Sequence, residues 1–328
     1  MKIAVLGAGS WGSAMAKHLS ERQHQVKVYV RNPSDCRKLR ETLENPNYLP
    51  GVTLPVEIEF VDALSSALED VQVVIGAIPA QAMKTFYEEN PGILQDLPFI
   101  SLSKGITNSS YETMEQLYRH YYPEGIYAAL SGPSHAEEVA IGVPTALVLA
   151  TKEEVFAQKI QQEFSSETLR IYRSDDVLGV ELAAAFKNVI ALAVGMATGL
   201  GFGDNTKAAI MTRGMAEILR LALAMGARQE TFLGLSGFGD LIVTCTSRHS
   251  RNRGAGELLA QGYSEEETTK KIGMVVEGLT TLRSVNALAK KYNQSMPIAE
   301  TLMKILEENL PIEEALVRLM MREYKEEL

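Results

Sequence analysis

Short apolar runs alternate with helical patterns through the first half of the chain, at residues 2–6, 26–30, 71–78, 99–102, 127–130, 146–150 and 169–172. Several are apolar at almost every position, which is the pattern of strands buried on both faces. Such an alternation predicts an α/β domain of Rossmann type, a parallel sheet with helices on both sides. After Asp176 the period changes. Helical patterns cover 177–197, 206–225, a stretch from about Asn252, 276–292 and 298–308, and Pro311 precedes a last amphipathic helix. The predicted organisation is a Rossmann domain over 1–180 followed by an all-α domain over 181–328, packed with a cleft between them.

Composition narrows the partners. The 328 residues are 46% apolar and 22% charged, the balance of an ordinary globular protein. Forty-one acidic residues against 32 basic ones leave a net charge of −9, a field that repels nucleic acid and anionic membranes. An anionic ligand must therefore meet a local basic pocket. Cys36 and Cys245 form no CxxC pair, so two free buried thiols are expected, with neither a disulfide framework nor a zinc site. The longest apolar helical run, 189–200, falls short of the roughly 20 residues that cross a bilayer, and no signal peptide fits before Gly7. No membrane span is expected.

The first strand runs into Gly7-Ala8-Gly9-Ser10-Trp11-Gly12 and then an amphipathic helix, placing a GxGxxG fingerprint at a strand-to-helix turn. Gly7 suits the tight turn, Gly9 the approach of a pyrophosphate, and Gly12 the close packing of helix on strand. The helix N-terminus supplies amide donors and the positive end of a dipole. After the second strand, Arg31-Asn32 stands where an NAD-selective site carries an acid, so a 2′-phosphate is accepted and NADP joins NAD as a candidate cofactor. An exposed loop arginine is the plainer alternative. FAD is the competing dinucleotide, disfavoured only by the all-α partner domain.

Other candidates follow later strands. Lys104, in Ser101-Leu102-Ser103-Lys104-Gly105, lies at the carboxyl edge of the predicted sheet, where ligands of open α/β folds collect. Ser131-Gly132-Pro133-Ser134-His135-Ala136 also follows a strand and opens a helix, its small residues able to line a ligand with backbone amides; the plainer alternative makes Ser131 or Ser134 a helix cap and His135 a packing or capping residue. Lys187 is the most pointed case, a cation between Leu182-Ala183-Ala184-Ala185-Phe186 and Val189-Ile190-Ala191-Leu192-Ala193. An apolar setting disfavours the charged form of a lysine and suits it to donate a proton to a developing alkoxide, the alternative being a snorkelling side chain. Asp240 ends the glycine-rich stretch 235–240, where it either holds that ammonium or a substrate hydroxyl, or forms an Asx turn. Ser250, Arg251 and Asn252 ahead of a helix offer hydroxyl, guanidinium, amide and helix-terminal donors to a phosphate. Glu277, in the Gly-bounded loop 271–278, can accept from an amide.

Together the segments GAGSWGSAMA, NPNYLPGVTLP, SKG, SGPSHAEEVA, VELAAAFKNVIALAVGMATGLGFGDNTKAA, GLSGFGDLIVTCTSRHSRNR, VVEG and MPIAE span nearly the whole chain. They resemble the NAD(P)-dependent glycerol-3-phosphate dehydrogenases of bacterial type. The resemblance implies reversible reduction of dihydroxyacetone phosphate to sn-glycerol 3-phosphate by NADPH or NADH, in the cytoplasm, by a homodimer, supplying phospholipid synthesis. It makes Lys187 the general acid and base. It places Ser10, Trp11, Arg31, Lys104, Ala136, Arg251, Val275 and Glu277 at the cofactor, and Lys104, Gly132, Ser134, Lys187, Asp240, Ser250, Arg251 and Asn252 around the substrate. Two other classes stay open on residues alone: a β-hydroxyacid or ketopantoate type of dehydrogenase, whose lysine and asparagine are not adjacent as Lys187 and Asn188 are, and a non-enzymatic NADPH-sensing module.

Overall fold

Apolar strand residues in the first half need two covered faces, and the chain provides them by returning through helices. In the computed structural model, which describes residues 1–323 and 326, the order is β1 (Lys2–Leu6), α1 (Ser10–Glu21), β2 (Gln25–Tyr29), α2 (Pro33–Thr42), β3 (Glu44–Asn45), β4 (Leu49–Thr53), β5 (Glu59–Val61), α3 (Leu64–Leu68) and β6 (Val73–Gly76). It continues through α4 (Ala80–Glu89), β7 (Phe99–Ser101), α5 (Met114–Tyr121), β8 (Tyr127–Ser131), α6 (Ala136–Ala140), β9 (Thr145–Ala150), α7 (Glu154–Phe164) and β10 (Leu169–Ser174). Eight strands form one sheet in the order β10-β9-β8-β7-β6-β1-β2-β5. Alternate residues feed opposite faces: Ile3, Val5, Val73 and Ile75 pack with α1 residues, while Ala4, Leu6 and Val74 pack with Met83, Tyr87, Tyr118 and Tyr127.

The strands from β5 across to β8 are mutually parallel, but β9 pairs antiparallel to β8, and β10 follows β9. The expected parallel sheet is present, with this one antiparallel pairing near its edge. The connection from β8 to β9 holds the five-residue α6, and β9 returns directly beside β8 with Leu130 opposite Leu149. The hairpin of β3 with β4 and the three-residue edge strand β5 were also absent from the sequence pattern: β3 and β5 are too short to show a period, and Pro50 and Gly51 interrupt that of β4.

Helices follow: α8 (Val177–Gly199), α9 (Asp204–Ala224), α10 (Gln229–Leu233), a single π-helical turn (Leu235–Gly239), α11 (Asp240–Thr246), α12 (Arg251–Ala260), α13 (Glu265–Ile272), α14 (Glu277–Lys291), α15 (Pro297–Glu307) and α16 (Ile312–Met320). The described residues divide into two units, Met1–Thr107 with Glu112–Glu181, and Asn108–Tyr111 with Leu182–Leu328. The division falls inside α8. The short excursion Asn108–Tyr111 joins the helical unit, where Ser284 Oγ donates to Asn108 Oδ1 at 3.1 Å.

At 23 residues α8 is longer than the apolar run expected, and by length and hydropathy alone it could cross a bilayer. Its most apolar window is 94% buried within the protein, the behaviour of a core helix. Each unit also holds a buried glutamate at a helix start. The Glu181 carboxylate accepts from the Glu115 N–H in the first turn of α5 and from the Tyr127 hydroxyl, and Glu217 accepts from the Ile298 N–H at 3.0 Å in the first turn of α15. Burial pushes each carboxyl up to about 7 against those hydrogen bonds.

Candidate active site

In the first unit the glycine fingerprint occupies the turn from β1 into α1. Gly7 has φ +108°, and a Cβ on Gly12 would lie 2.0 Å from the Gly7 carbonyl oxygen, so neither position admits a side chain as built. Around Gly9 nothing lies within 4 Å of where a Cβ would stand. Gly9 is the N-cap of α1 and supplies no side-chain cap, which leaves the helix-start amides to an external acceptor. This cradle fits the pyrophosphate of a dinucleotide. Ser10 opens α1, and Trp11 packs against the core with its Nε1 buried and without a partner among the described residues.

Arg31 is exposed just past β2, while Asn32 caps α2, its Oδ1 accepting from Ser34 N at 2.8 Å. Lys104 follows β7, and its Nζ donates to the Gly132 carbonyl at 3.3 Å. Ser134 Oγ donates to the same oxygen at 3.0 Å. The structure therefore brings Lys104, Gly132 and Ser134 together at the end of β8. The serine-cap alternative is not realised: His135 is the N-cap of α6 and makes no side-chain cap bond, and Ala136 is its buried first residue. Ser134 is instead turned back onto Gly132.

In the helical unit Lys187 is 5% exposed in the middle of α8. Its Nζ donates to Asp240 Oδ1 at 2.5 Å and to Thr244 Oγ1 at 2.8 Å. Thr244 Oγ1 donates in turn to the Asp240 carbonyl at 2.6 Å, so the acid and the hydroxyl sit one turn apart on α11 and face the ammonium together. The snorkelling and Asx-turn alternatives do not describe these side chains. Burying a lysine costs several kcal/mol unless a charge and hydrogen bonds compensate it, and Asp240, 1% exposed, provides both. The glycine-rich stretch before Asp240 is a π-helical turn rather than an open loop. It depends on Gly237, where a Cβ would lie 2.1 Å from the Phe232 carbonyl oxygen. Beside the pair, Cys245 is buried and its thiol is pushed up to about 12 by burial, so it is no nucleophile at neutral pH.

Ser250 caps α12, its Oγ accepting from Arg253 N at 3.2 Å. Arg251 is exposed, and its Nη1 donates to the Val275 carbonyl at 3.3 Å. Arg253 turns back to Glu257, to the Thr246 carbonyl and to the Ser247 carbonyl. Helix α12 lies against α8 closely enough that a Cβ on Gly195 would fall 2.0 Å from the Arg253 oxygen and one on Gly256 2.1 Å from the Leu192 oxygen. Small residues set that approach, which carries the start of α12 to α8 near Lys187 and Asn188. There Asn252 Nδ2 donates to Asn188 Oδ1 at 2.9 Å, and Asn252 Oδ1 accepts from Gly278 N at 2.8 Å. Glu277 begins α14. Thr244 and Asn188 were missed as candidates. The i, i+4 spacing from Asp240 signalled the first, and adjacency to Lys187 the second.

Known proteins match the chain along its length. The model describing the N-terminus of NAD-dependent glycerol-3-phosphate dehydrogenase covers residues 2–157, and the one describing its C-terminus covers 176–317. A Pelotomaculum thermopropionicum protein named glycerol-3-phosphate dehydrogenase (NAD(P)+) is 45% identical over 98% of this chain and 93% of its own. One of the same name from Carboxydothermus hydrogenoformans is 44% identical over 100% and 98%. The crystal structure of glycerol-3-phosphate dehydrogenase from Coxiella burnetii aligns with a TM-score of 0.94 at 33% identity, covering 98% of this chain and 99% of that one.

Proposed function

The chain belongs to the NAD-dependent glycerol-3-phosphate dehydrogenase family, and from that premise we propose that it reduces dihydroxyacetone phosphate reversibly to sn-glycerol 3-phosphate with NADPH or NADH, Lys187 being the general acid and base. The observation that carries the reading is the buried Lys187 ammonium, held by a carboxylate and a hydroxyl at 2.5 and 2.8 Å. A reduced nicotinamide, when bound, supplies hydride to the carbonyl carbon. As negative charge grows on the carbonyl oxygen, Lys187 neutralises it by hydrogen bonding and then by giving up a proton. Asp240 holds the Lys187 nitrogen in place until that moment, and Thr244 limits its rotation.

The remaining residues bind. Gly7, Gly9, Ser10, Trp11 and Gly12 receive the pyrophosphate end, with Arg31 at the adenosine ribose and Lys104, Ala136, Arg251, Val275 and Glu277 along the rest of the dinucleotide. Lys104, Gly132, Ser134, Asp240, Ser250, Arg251 and Asn252 surround the triose. Arg251, exposed at the start of α12, offers a guanidinium to the triose phosphate, an anion that the net charge of −9 otherwise repels. Fixing that phosphate reduces the entropy lost in reaching a reactive geometry. Residues 1–180 serve as the nucleotide domain and 181–328 as the substrate domain. The enzyme works in the cytoplasm as a homodimer and supplies phospholipid synthesis.

A spectrophotometric assay tests the reading: absorbance at the reduced-nicotinamide band falls on addition of dihydroxyacetone phosphate, with either cofactor. No oxidation of NADPH or NADH by that ketone would leave a nucleotide-binding protein without this activity.

A further inference from the structure

Three residues of the proposed site are each followed in sequence by a member of one hydrogen-bonded chain: Lys187 by Asn188, Arg251 by Asn252, and Glu277 by Gly278. The chain runs from the Gly278 N–H to Asn252 Oδ1 at 2.8 Å and from Asn252 Nδ2 to Asn188 Oδ1 at 2.9 Å. Its direction is forced. A backbone N–H only donates, so Asn252 must present its oxygen to Gly278 and its amide nitrogen to Asn188, which must then present oxygen. Asn188 is 4% exposed and Gly278 is buried, while Asn252 is half-buried, so both bonds are partly shielded from water and losing a partner carries a cost.

The backbone is equally tight. A Cβ on Gly278 would lie 2.6 Å from the Asn188 carbonyl oxygen and 3.0 Å from Asn252 Oδ1, so the start of α14 rests directly on α8. A second tie joins Arg251 to the Val275 carbonyl at 3.3 Å. Successive residues of a helix point about 100° apart, so the bracket occupies the junctions of α8, α12 and α14 while Lys187, Arg251 and Glu277 project from a different side of each helix.

We propose that Asn188 is a positioning residue: through Asn252 and the Gly278 N–H it locks the starts of α12 and α14 onto α8, holding Lys187, Arg251 and Glu277 in one register. The roles of those three residues rest on the function proposed above; the bracket itself is a separate claim. In Asn188→Leu, which keeps the volume and removes the acceptor, Asn252 loses its anchor and the Gly278 N–H loses a fixed partner.

Two readouts on the full chain decide it. In the ligand-free protein, hydrogen exchange at the Gly278 amide speeds up at least tenfold in Asn188→Leu and slows again in Asn188→Asp, which restores an acceptor oxygen. In steady-state assays of the folded variant, kcat/KM falls at least tenfold for dihydroxyacetone phosphate and for NADPH alike, and Asn188→Leu combined with Asn252→Ala is no worse than Asn252→Ala alone. Unchanged Gly278 exchange overturns the proposal. So does a lower melting temperature with both kcat/KM values within twofold of the parent, or additive losses in the double variant. If Asn188→Leu does not fold, Asn188→Ser, whose hydroxyl stops short of Asn252, replaces it with the same expectations. If the parent protein itself turns over no dihydroxyacetone phosphate, the proposed function fails, and the exchange measurement alone judges the bracket.

Discussion

At the start of the chain three glycines within six residues shape the end of β1 and the first turn of α1, whereas in the helical unit Lys187, Asp240, Asn252 and Gly278 come from α8, α11, α12 and α14. The first region is made by local geometry: one positive φ, one excluded side chain and one uncapped helix end suffice for an anion cradle. The second exists only because helices pack closely enough for a buried ammonium to find a carboxylate far along the chain. Local sites tolerate change elsewhere in the protein. Assembled sites fail when any contributing helix shifts, because a misplacement of about 1 Å is enough to cost roughly 10² in rate.

The sharpest way to separate the regions is Lys187→Ala. Turnover should fall by at least ~10² while NADPH binding, followed by fluorescence titration, stays near the parent value. Near-normal turnover would remove Lys187 from the chemistry.

The two buried glutamates probe the units separately. The folded carboxyl of each is raised from 4.5 to about 7, so the folded state holds a proton that the unfolded chain has released, and stability falls as pH rises from about 4.5 through about 7. Relative to Glu181→Gln, or to Glu217→Gln, the parent should lose up to about 3 kcal/mol over that window, measured by denaturant unfolding at a series of pH values. A constant difference across the window would show that the carboxyl keeps the same charge in both states.

Gly12→Ala attacks the cradle alone. With a Cβ forced against the Gly7 carbonyl, one charge-assisted bond to the pyrophosphate is lost, about 2 kcal/mol or roughly thirtyfold in NADPH affinity, read by the same titration. Unaltered affinity would mean the cradle is not the dinucleotide site. The smallest effect belongs to Arg31→Asp, since Arg31 is exposed and surface charges contribute about 1 kcal/mol. The ratio of kcat/KM for NADPH over NADH should drop about tenfold, because a carboxylate both removes the phosphate's partner and repels it.

Legibility followed the same divide. Strands β1, β6 and β8 and helices α8, α9, α14 and α15 were readable because each repeats a pattern over enough residues to show its period. The hairpin of β3 with β4 and the edge strand β5 were not, being very short or broken by Pro50 and Gly51, and the direction of β9 was not, because strand periodicity is the same for parallel and antiparallel pairing. Lys187 stood out as a cation in an apolar helix, and Asp240 was paired with it as one option among several. Thr244 was marked only by its i, i+4 spacing from Asp240 and Asn188 only by its place beside Lys187, while nothing in the sequence marked the turn of Ser134 onto Gly132.

The sequence alone determined the alternation of strand and helix, the glycine turn at 7–12 and the helical pattern of α8, because these depend on backbone sterics and on neighbours within a few positions. Tertiary structure alone decided which carboxylate faces Lys187, how nearly α12 and α14 approach α8, and which side-chain amides are already spent on each other. The physical reason is range: a dihedral preference acts over one turn, whereas a buried charge is satisfied by whichever distant group the packed core delivers.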